Sequence, residues 1–373
     1  MMIFLFYLTL GLLLYSYAIY PLVLMCLPSR RPESAEVSEG EWRWPSISVL
    51  VSVYNEEKVI AAKVANFLAC HYDGPSEILI VSDGSTDHTI DVIKPLVSDR
   101  VKLLVKDRRE GKGVAMNLAV EHTRGTILVF TDANAFFDRE ALRELIGPFR
   151  DPKIGLVTGW TIYTGGSTGS MYERYERSLK QLESRSGVVA GADGAIYAMR
   201  KSLWREHPPE LINDFLHPMM VALGGAHSVI AERATCEEEF TIENEFSRQV
   251  RMVSQAALVL AKTFPRLVRR SQWRSLLVLA SHKLARWLTV PLLVLAFIAT
   301  VRLAPTSTFY RLVLDAELLF GVWVVVGWLA ALLGVDERVS LAYRFLVLNC
   351  AGAVGLWRCM TGRVPVAWQP RSQ

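Results

Sequence analysis

Between residues 46 and 158 the apolar positions follow two rhythms in turn. Short runs rich in Val, Ile and Leu at 46–53, 77–81, 101–105, 126–130 and 154–158 read as strands. The intervening stretches 56–69, 87–97, 112–122 and 138–149 space their apolar residues three and four apart, as helices do. Strands alternating with helices of this length predict βαβ units and a mostly parallel, doubly wound sheet. The run Ile127-Leu128-Val129-Phe130 has no polar break, so it predicts a strand buried on both faces, with Asp132 at its C-terminal end. Downstream the pattern weakens. A short strand is predicted at 196–199, Met171, Tyr172, Tyr175, Leu179 and Leu182 share a helical face that reads as core packing, and Glu237-Glu238-Glu239 reads as a solvated face.

The ends follow another pattern. Residues 2–27 carry no charged side chain and are long enough to cross a hydrocarbon core about 30 Å thick, which predicts a transmembrane helix over 1–28. A signal peptide fits less well, because no basic residue precedes the run and no small-x-small site follows it. Arg30 and Arg31 come next, and the positive-inside rule places the following region in the cytoplasm. A polar linker, 29–45, leads to the α/β region of 46–262. Over 263–286, Arg266, Arg269, Arg270 and Arg274 alternate with Leu267, Val268 and Trp273, as in an interfacial amphipathic helix, and Lys283 and Arg286 are placed to snorkel. Apolar stretches at 287–301, 312–333 and 341–357 predict two to three further membrane helices in 287–373. The last is short and contains Arg344 and Asn349, so a re-entrant segment is the competing reading. A multi-pass protein of the cell's inner (plasma) membrane is expected, in contact with the lipid bilayer. Its net charge of +4 comes without the basic and aromatic interleaving of a nucleic-acid binder, so no nucleic acid is an expected partner. The five cysteines show neither metal nor disulfide spacing.

Polar residues collect where the predicted strands end. Tyr54-Asn55-Glu56 follows the first strand, Asp83-Gly84-Ser85 the second and Asp132-Ala133-Asn134 the fourth. In an open α/β sheet the ligand crevice lies outside the carboxyl ends of the strands, so Asn55, Asp83 and Asp132 converge on one crevice. Capping accounts for Ser85 to Asp87 and, taken singly, equally well for Asp132. Gly111-Lys112-Gly113 at a helix start has the chemistry of a phosphate-approach loop, without Walker A spacing. Gly191-Ala192-Asp193-Gly194 permits close backbone approach or a plain turn. Asp214, among Phe215 and aliphatic neighbours, has an environment that can raise a carboxyl pKa, useful to a base and equally that of a helix cap. Arg248 and Arg251, three apart on a helix, can clamp a diphosphate or stand in solvent.

In this order and at these intervals, the motifs resemble the family 2 glycosyltransferases, above all the membrane-embedded group with cellulose, hyaluronan and poly-N-acetylglucosamine synthases. The resemblance spans roughly 46–290. It implies a GT-A type, Rossmann-like α/β domain and inverting transfer of a sugar from a nucleotide diphosphate, with UDP the expected nucleotide and Mg2+ or Mn2+ the cofactor. The acceptor would be a saccharide or a lipid-linked molecule, in cell-envelope or extracellular polysaccharide synthesis, with export partners conceivable. By position, Tyr54, Asn55, Glu56 and Asp83 resemble nucleoside contacts, while Lys112, Gly191 and Asp193 line the substrate. Asp132 matches the first acid of the D-x-D metal motif and Asn134 its second position. Asp214 matches the catalytic base and Arg248 with Arg251 the diphosphate-binding Q-x-x-R-W. The chain departs at Asn134, an amide for an acid, at Arg248 for Gln, and at Met252 for the Trp that faces the acceptor in polymer-forming members. The competing function is a non-catalytic membrane sensor or scaffold that binds nucleotide sugar, which would be expected to have lost Asp132 or Asp214.

Overall fold

The computed structural model describes residues 1–29, 42–164, 171–206, 208–239, 245–334 and 340–364. By contacts the chain forms two compact units. One gathers Met1–Leu27, Ile242–Ala257 and Leu277–Val364, and the other Pro28–Thr241 and Leu258–Leu276. The expected domain end at 262 therefore falls inside a single helix, Glu245–Arg269, whose first half belongs with the apolar helices.

The second unit is built on an eight-stranded sheet: β1 Ile47–Val53, β2 Ser76–Asp83, β3 Val101–Lys106, β4 Ile127–Thr131, β5 Phe136–Phe137, β6 Ile154–Thr164, β7 Tyr197–Arg200 and β8 His227–Glu239. Their spatial order is β3-β2-β1-β4-β7-β6-β8-β5. β1 pairs in parallel with both β2 and β4, and β2 with β3. The chain thus steps outward from β1 through β2 to β3, then returns to the other side of β1 as β4. That reversal between β1 and β4 is the switch point at which doubly wound sheets bind ligands. All five residues of β4 are buried, as the unbroken apolar run requires.

The sheet is mostly parallel as expected, with four of its seven strand pairings among the described residues parallel, but beyond β4 it becomes mixed. β7 runs antiparallel to both β4 and β6, β8 is parallel to β6, and β5 is antiparallel to β8. Two long strands, β6 and β8, fill a region whose sequence shows no simple alternation, and register shifts in their pairing explain why. Helix Ile60–Ala69 packs Ile60, Val64 and Phe67 into the core on one face of the sheet, and Lys112–Glu121 covers the other face with Ala115, Met116 and Ala119. Leu179 of helix Met171–Arg185 is buried as its stripe predicts, whereas the side chains of Met171 and Tyr172 lie outside the described set.

In the other unit Met2–Cys26, Thr289–Thr306 and Thr308–Leu332 are long and apolar enough to cross a membrane. Leu341–Met360 is one continuous helix, not a re-entrant turn. Asn349 on it accepts a bond from the Tyr17 hydroxyl at 3.1 Å, and that hydroxyl also lies 3.0 Å from Thr289 Oγ1. Such side-chain bonds tie apolar helices together where no hydrophobic drive does so. Two expected lipid-facing arginines are buried instead. Arg286 packs over the Tyr17 ring, and in the sheet unit Arg274 donates to the Ser186 carbonyl at 3.0 Å. Phe264, Val268 and Trp273 are exposed next to Arg266, Arg269 and Arg270, whereas Leu267 is buried.

Candidate active site

The tips of β1 and β2 are stitched together. Asn55 has a left-handed backbone (φ 57), which an asparagine tolerates better than most side chains. Its Oδ1 accepts from the Thr86 N–H at 2.9 Å, and the N–H groups of Asn55 and Glu56 donate to the hydroxyls of Ser85 and Thr89. Asp87 accepts from the Thr89 N–H at 3.0 Å, the capping role expected for that stretch. Next to this seam the Arg109 guanidinium lies 4.0 Å from the centre of the Tyr54 ring, a cation stacked on an aromatic face.

Asp83, at the end of β2, is buried and fully engaged. Its Oδ1 accepts from Lys106 Nζ at 2.9 Å and from the Glu110 N–H at 3.0 Å, and its Oδ2 from the Gly111 N–H at 2.7 Å. The carboxylate thereby holds the loop that delivers Lys112. Gly84 must be glycine here: its φ is +72°, and a Cβ would stand 2.6 Å from the Arg109 nitrogen.

At the switch point Lys112 Nζ donates to Asp132 Oδ1 at 2.6 Å, both side chains being partly open to solvent. The Lys112 pKa is raised: burial works against its charge, but the Asp132 carboxylate outweighs this, with Asp214 and Glu238 adding to it. Asp214 lies in the first turn of helix Asn213–Leu223. Burial pushes its carboxyl up to about 6; Lys112 opposes the rise, and the negative charges of Asp132 and Asp193 add to it. The expected raised-pKa environment is therefore present, and a carboxyl poised near neutrality suits a general base.

The Gly191–Gly194 loop packs against that acid. The Ala192 N–H donates to the Asp214 carbonyl at 2.8 Å, and a Cβ on Gly194 would come within 3.1 Å of Asp214 Oδ2. Asp193 spends its carboxylate locally, accepting from the Thr161 N–H at 2.8 Å and the Thr161 hydroxyl at 2.7 Å. These bonds hold the loop, and the carboxylate lends negative charge to Asp214.

Four residues at the site escape the sequence reading. Tyr197 stacks on Phe130 at 4.7 Å, and its hydroxyl meets His217 Nδ1 at 3.0 Å, forming a buried aromatic floor. Burial, reinforced by the charges of Asp214 and Asp132, keeps the Tyr197 phenol protonated. Lys63 is wholly buried, donating to Thr131 Oγ1 at 2.9 Å and to the Ala135 carbonyl, so it grips both ends of the turn that carries Asp132. Burial lowers its pKa to about 8. Glu238, expected in solvent, is 7% exposed and accepts from Asn134 Nδ2 at 3.0 Å. The signals were present in principle: Lys63 falls on the Ile60, Val64, Phe67 stripe, and Glu238 ends the buried alternation of Ala234 and Cys236.

Arg248 and Arg251 stand three apart on Glu245–Arg269, in the unit of the apolar helices, Arg248 exposed and Arg251 half-buried. Their diphosphate role rests on the motif alone. Among the described residues, no three His, Cys, Asp or Glu side chains form a metal cage. A divalent cation at Asp132 would complete its shell from a ligand's phosphates and water, as Mg2+ commonly does. The residues fit that arrangement, since Lys112 bonds Oδ1 of Asp132 and the Asp132 side chain is 42% exposed, open to a ligand.

Known proteins agree with this geometry. Residues 48–206 match the family described as Glycosyl transferase family 2. Over 154 residues the chain is 32% identical to the poly-beta-1,6-N-acetyl-D-glucosamine synthase of Staphylococcus aureus strain COL, covering 40% of this chain and 37% of that one. Glycosyltransferase AglE of Haloferax volcanii is 27% identical over 147 residues, 39% of this chain and 48% of the relative. The matches thus span between about a third and a half of these relatives' length. The mannosyltransferase of Pyrobaculum calidifontis, solved in complex with GDP-Man and Mn2+, superposes with a TM-score of 0.71 over 97% of this chain and 98% of its own, at 19% identity, and so shares the fold. Strand order and crevice thus agree with the match of residues 48–206 to glycosyl transferase family 2 and with an α/β domain of GT-A type.

Proposed function

We propose that the chain is an inverting glycosyltransferase of the inner membrane, its catalytic domain cytoplasmic, that moves a sugar from a nucleotide diphosphate sugar to a saccharide or lipid-linked acceptor. The observation that carries this reading is the Asp132–Lys112–Asp214 group at the β1/β4 switch point, a carboxylate and a cation beside an acid raised to about 6. In this reading Asp214 takes the proton of the acceptor hydroxyl as it attacks the anomeric carbon, and the nucleotide diphosphate leaves from the opposite face. The bond from the acceptor oxygen to that carbon forms as the bond to the phosphate oxygen breaks. Lys112 balances charge on the phosphates, and the seam of Tyr54, Asn55 and Glu56 with the loop held by Asp83 receives the nucleoside. Asp132 and the Asn134 amide oxygen would hold Mg2+ or Mn2+, which when bound neutralises charge growing on the leaving diphosphate. The resemblance of the motifs to those of UDP-sugar-using synthases supports UDP, and polysaccharide synthesis is supported by the names of the Staphylococcus relatives.

The test is release of nucleotide diphosphate by detergent-purified protein across UDP-sugars and GDP-mannose, with host lipid extract and either Mn2+ or EDTA. Release confined to one donor, lost in Asp132→Ala and Asp214→Asn, is expected. Release with no donor, or release indifferent to both substitutions, would overturn the transferase reading.

A further inference from the structure

Where the metal motif of this chain carries Asn134, the D-x-D pattern carries an acid, and a buried acid from another strand stands against that amide. Glu238 lies on β8 between exposed Glu237 and Glu239, so the alternation of the strand turns it alone inward. Its Oε1 is 3.0 Å from Asn134 Nδ2. A carboxylate only accepts, so the amide must face it with Nδ2. The bond therefore directs Oδ1, the one atom by which an asparagine ligates a hard cation, away from Glu238. We infer that Glu238 is a positioning residue that supplies the second negative charge of the cation site, replacing through the Asn134 amide the acid that the motif lacks. This rests on the transferase reading and extends it: the site takes a divalent cation together with a nucleoside diphosphate, and one carboxylate has been moved from the β4 turn to β8.

The two residues form a testable exchange. Glu238→Gln keeps an oxygen for the Asn134 amide and removes the charge, while the double variant Asn134→Asp, Glu238→Gln returns one charge to the motif. Mn2+ binding is followed by the loss of the free-ion paramagnetic resonance signal, using full-length protein with UDP or GDP and no sugar. Glu238→Gln is expected to weaken Mn2+ binding about tenfold, the lower end of what outer partners of metal ligands contribute, and the double variant to recover to within about threefold of wild type. Unchanged affinity in Glu238→Gln, or a double variant no better than the single one, overturns the inference. If Glu238→Gln does not purify folded, the double variant decides alone, and a loss beyond about tenfold there is the overturning result. Nucleotide binding without metal, read by thermal shift, separates the two levels: wild type that binds no nucleoside diphosphate sinks the transferase reading, whereas wild type that binds nucleotide and Mn2+ with Glu238→Gln unchanged sinks only this one.

Discussion

Asp83 and Asp132 end the two strands that flank β1, and by sequence they look alike: each closes an apolar run and begins a polar turn. The structure separates them. Asp83 is 3% exposed, and its two oxygens take three bonds, one from an ammonium and two from backbone N–H groups. Asp132 keeps 42% of its side chain exposed, and among the described residues its carboxylate makes one bond, to Lys112. A saturated, buried carboxylate builds the site, and a half-solvated one next to a single cation is free to exchange partners with a ligand. Motif position alone does not say which is which.

The largest expected effect tests the proposed base. Asp214→Asn should lower the transfer rate by roughly 10²–10⁴, the usual worth of general base catalysis, while donor binding changes little. A loss of less than tenfold would move the base elsewhere.

Next, the two strand-end aspartates should fail in different ways. Asp83→Ala removes one of the two carboxylates on the buried Lys106 ammonium, leaving Glu110 at 2.6 Å, and strips two N–H groups of their acceptor, a loss of about 2–4 kcal/mol. It should appear as a lowered melting temperature in detergent, with residual activity tracking the folded fraction. Asp132→Ala breaks an exposed ion pair worth under about 1 kcal/mol, so melting should hardly move while metal-dependent transfer falls. Equal melting losses in the two variants would erase the distinction drawn between them.

The raised Asp214 carboxyl makes two predictions with opposite signs. Transfer requires the ionised form, so kcat/KM should fall about tenfold per pH unit below about 6 and level off above it. Stability runs the other way. The folded state holds the proton more tightly than the unfolded chain, so the unfavourable contribution grows as pH rises from 3.8 towards about 6 and is complete above it. Asp214→Asn should therefore melt higher than wild type at pH 7–8, by the equivalent of about 1–3 kcal/mol, with the gain fading towards pH 4. A variant that melts lower at both ends would show that the carboxylate is stabilised in place.

The parallel half of the fold is legible in the sequence because its strands are buried on both faces and its helices show one clear stripe each. β8 is not, since register shifts break its alternation and its last residues, Glu237 to Glu239, read as surface although only the outer two are exposed. The candidate base, cation and first metal acid are legible because each falls at a junction of elements, where polar residues stand out. Lys63 and Glu238 are hidden for the opposite reason. Each lies inside an element at a core position, and only tertiary contact, with the turn from Thr131 to Ala135 in one case and with Asn134 in the other, shows what its charge does.

The smallest expected effect is also the most local. Gly191 and Gly194 bracket the loop against Asp214, and the structure gives them different tolerances. A methyl at Gly191 would touch the Phe215 ring at 3.5 Å, an ordinary contact, whereas one at Gly194 would lie 3.1 Å from Asp214 Oδ2, so the carboxylate must shift by a few tenths of an ångström. Neither glycine has the positive φ that would strain an alanine. Gly191→Ala should then be close to silent. Gly194→Ala should fold normally and lose roughly 3–10-fold in kcat with donor KM unchanged, on the scale by which about 1 Å of misplacement costs about 10². If both alanines are silent, the placement of Asp214 Oδ2 does not govern the reaction. If both are damaging, it is the loop backbone, and not the position of this carboxylate, that the glycines protect.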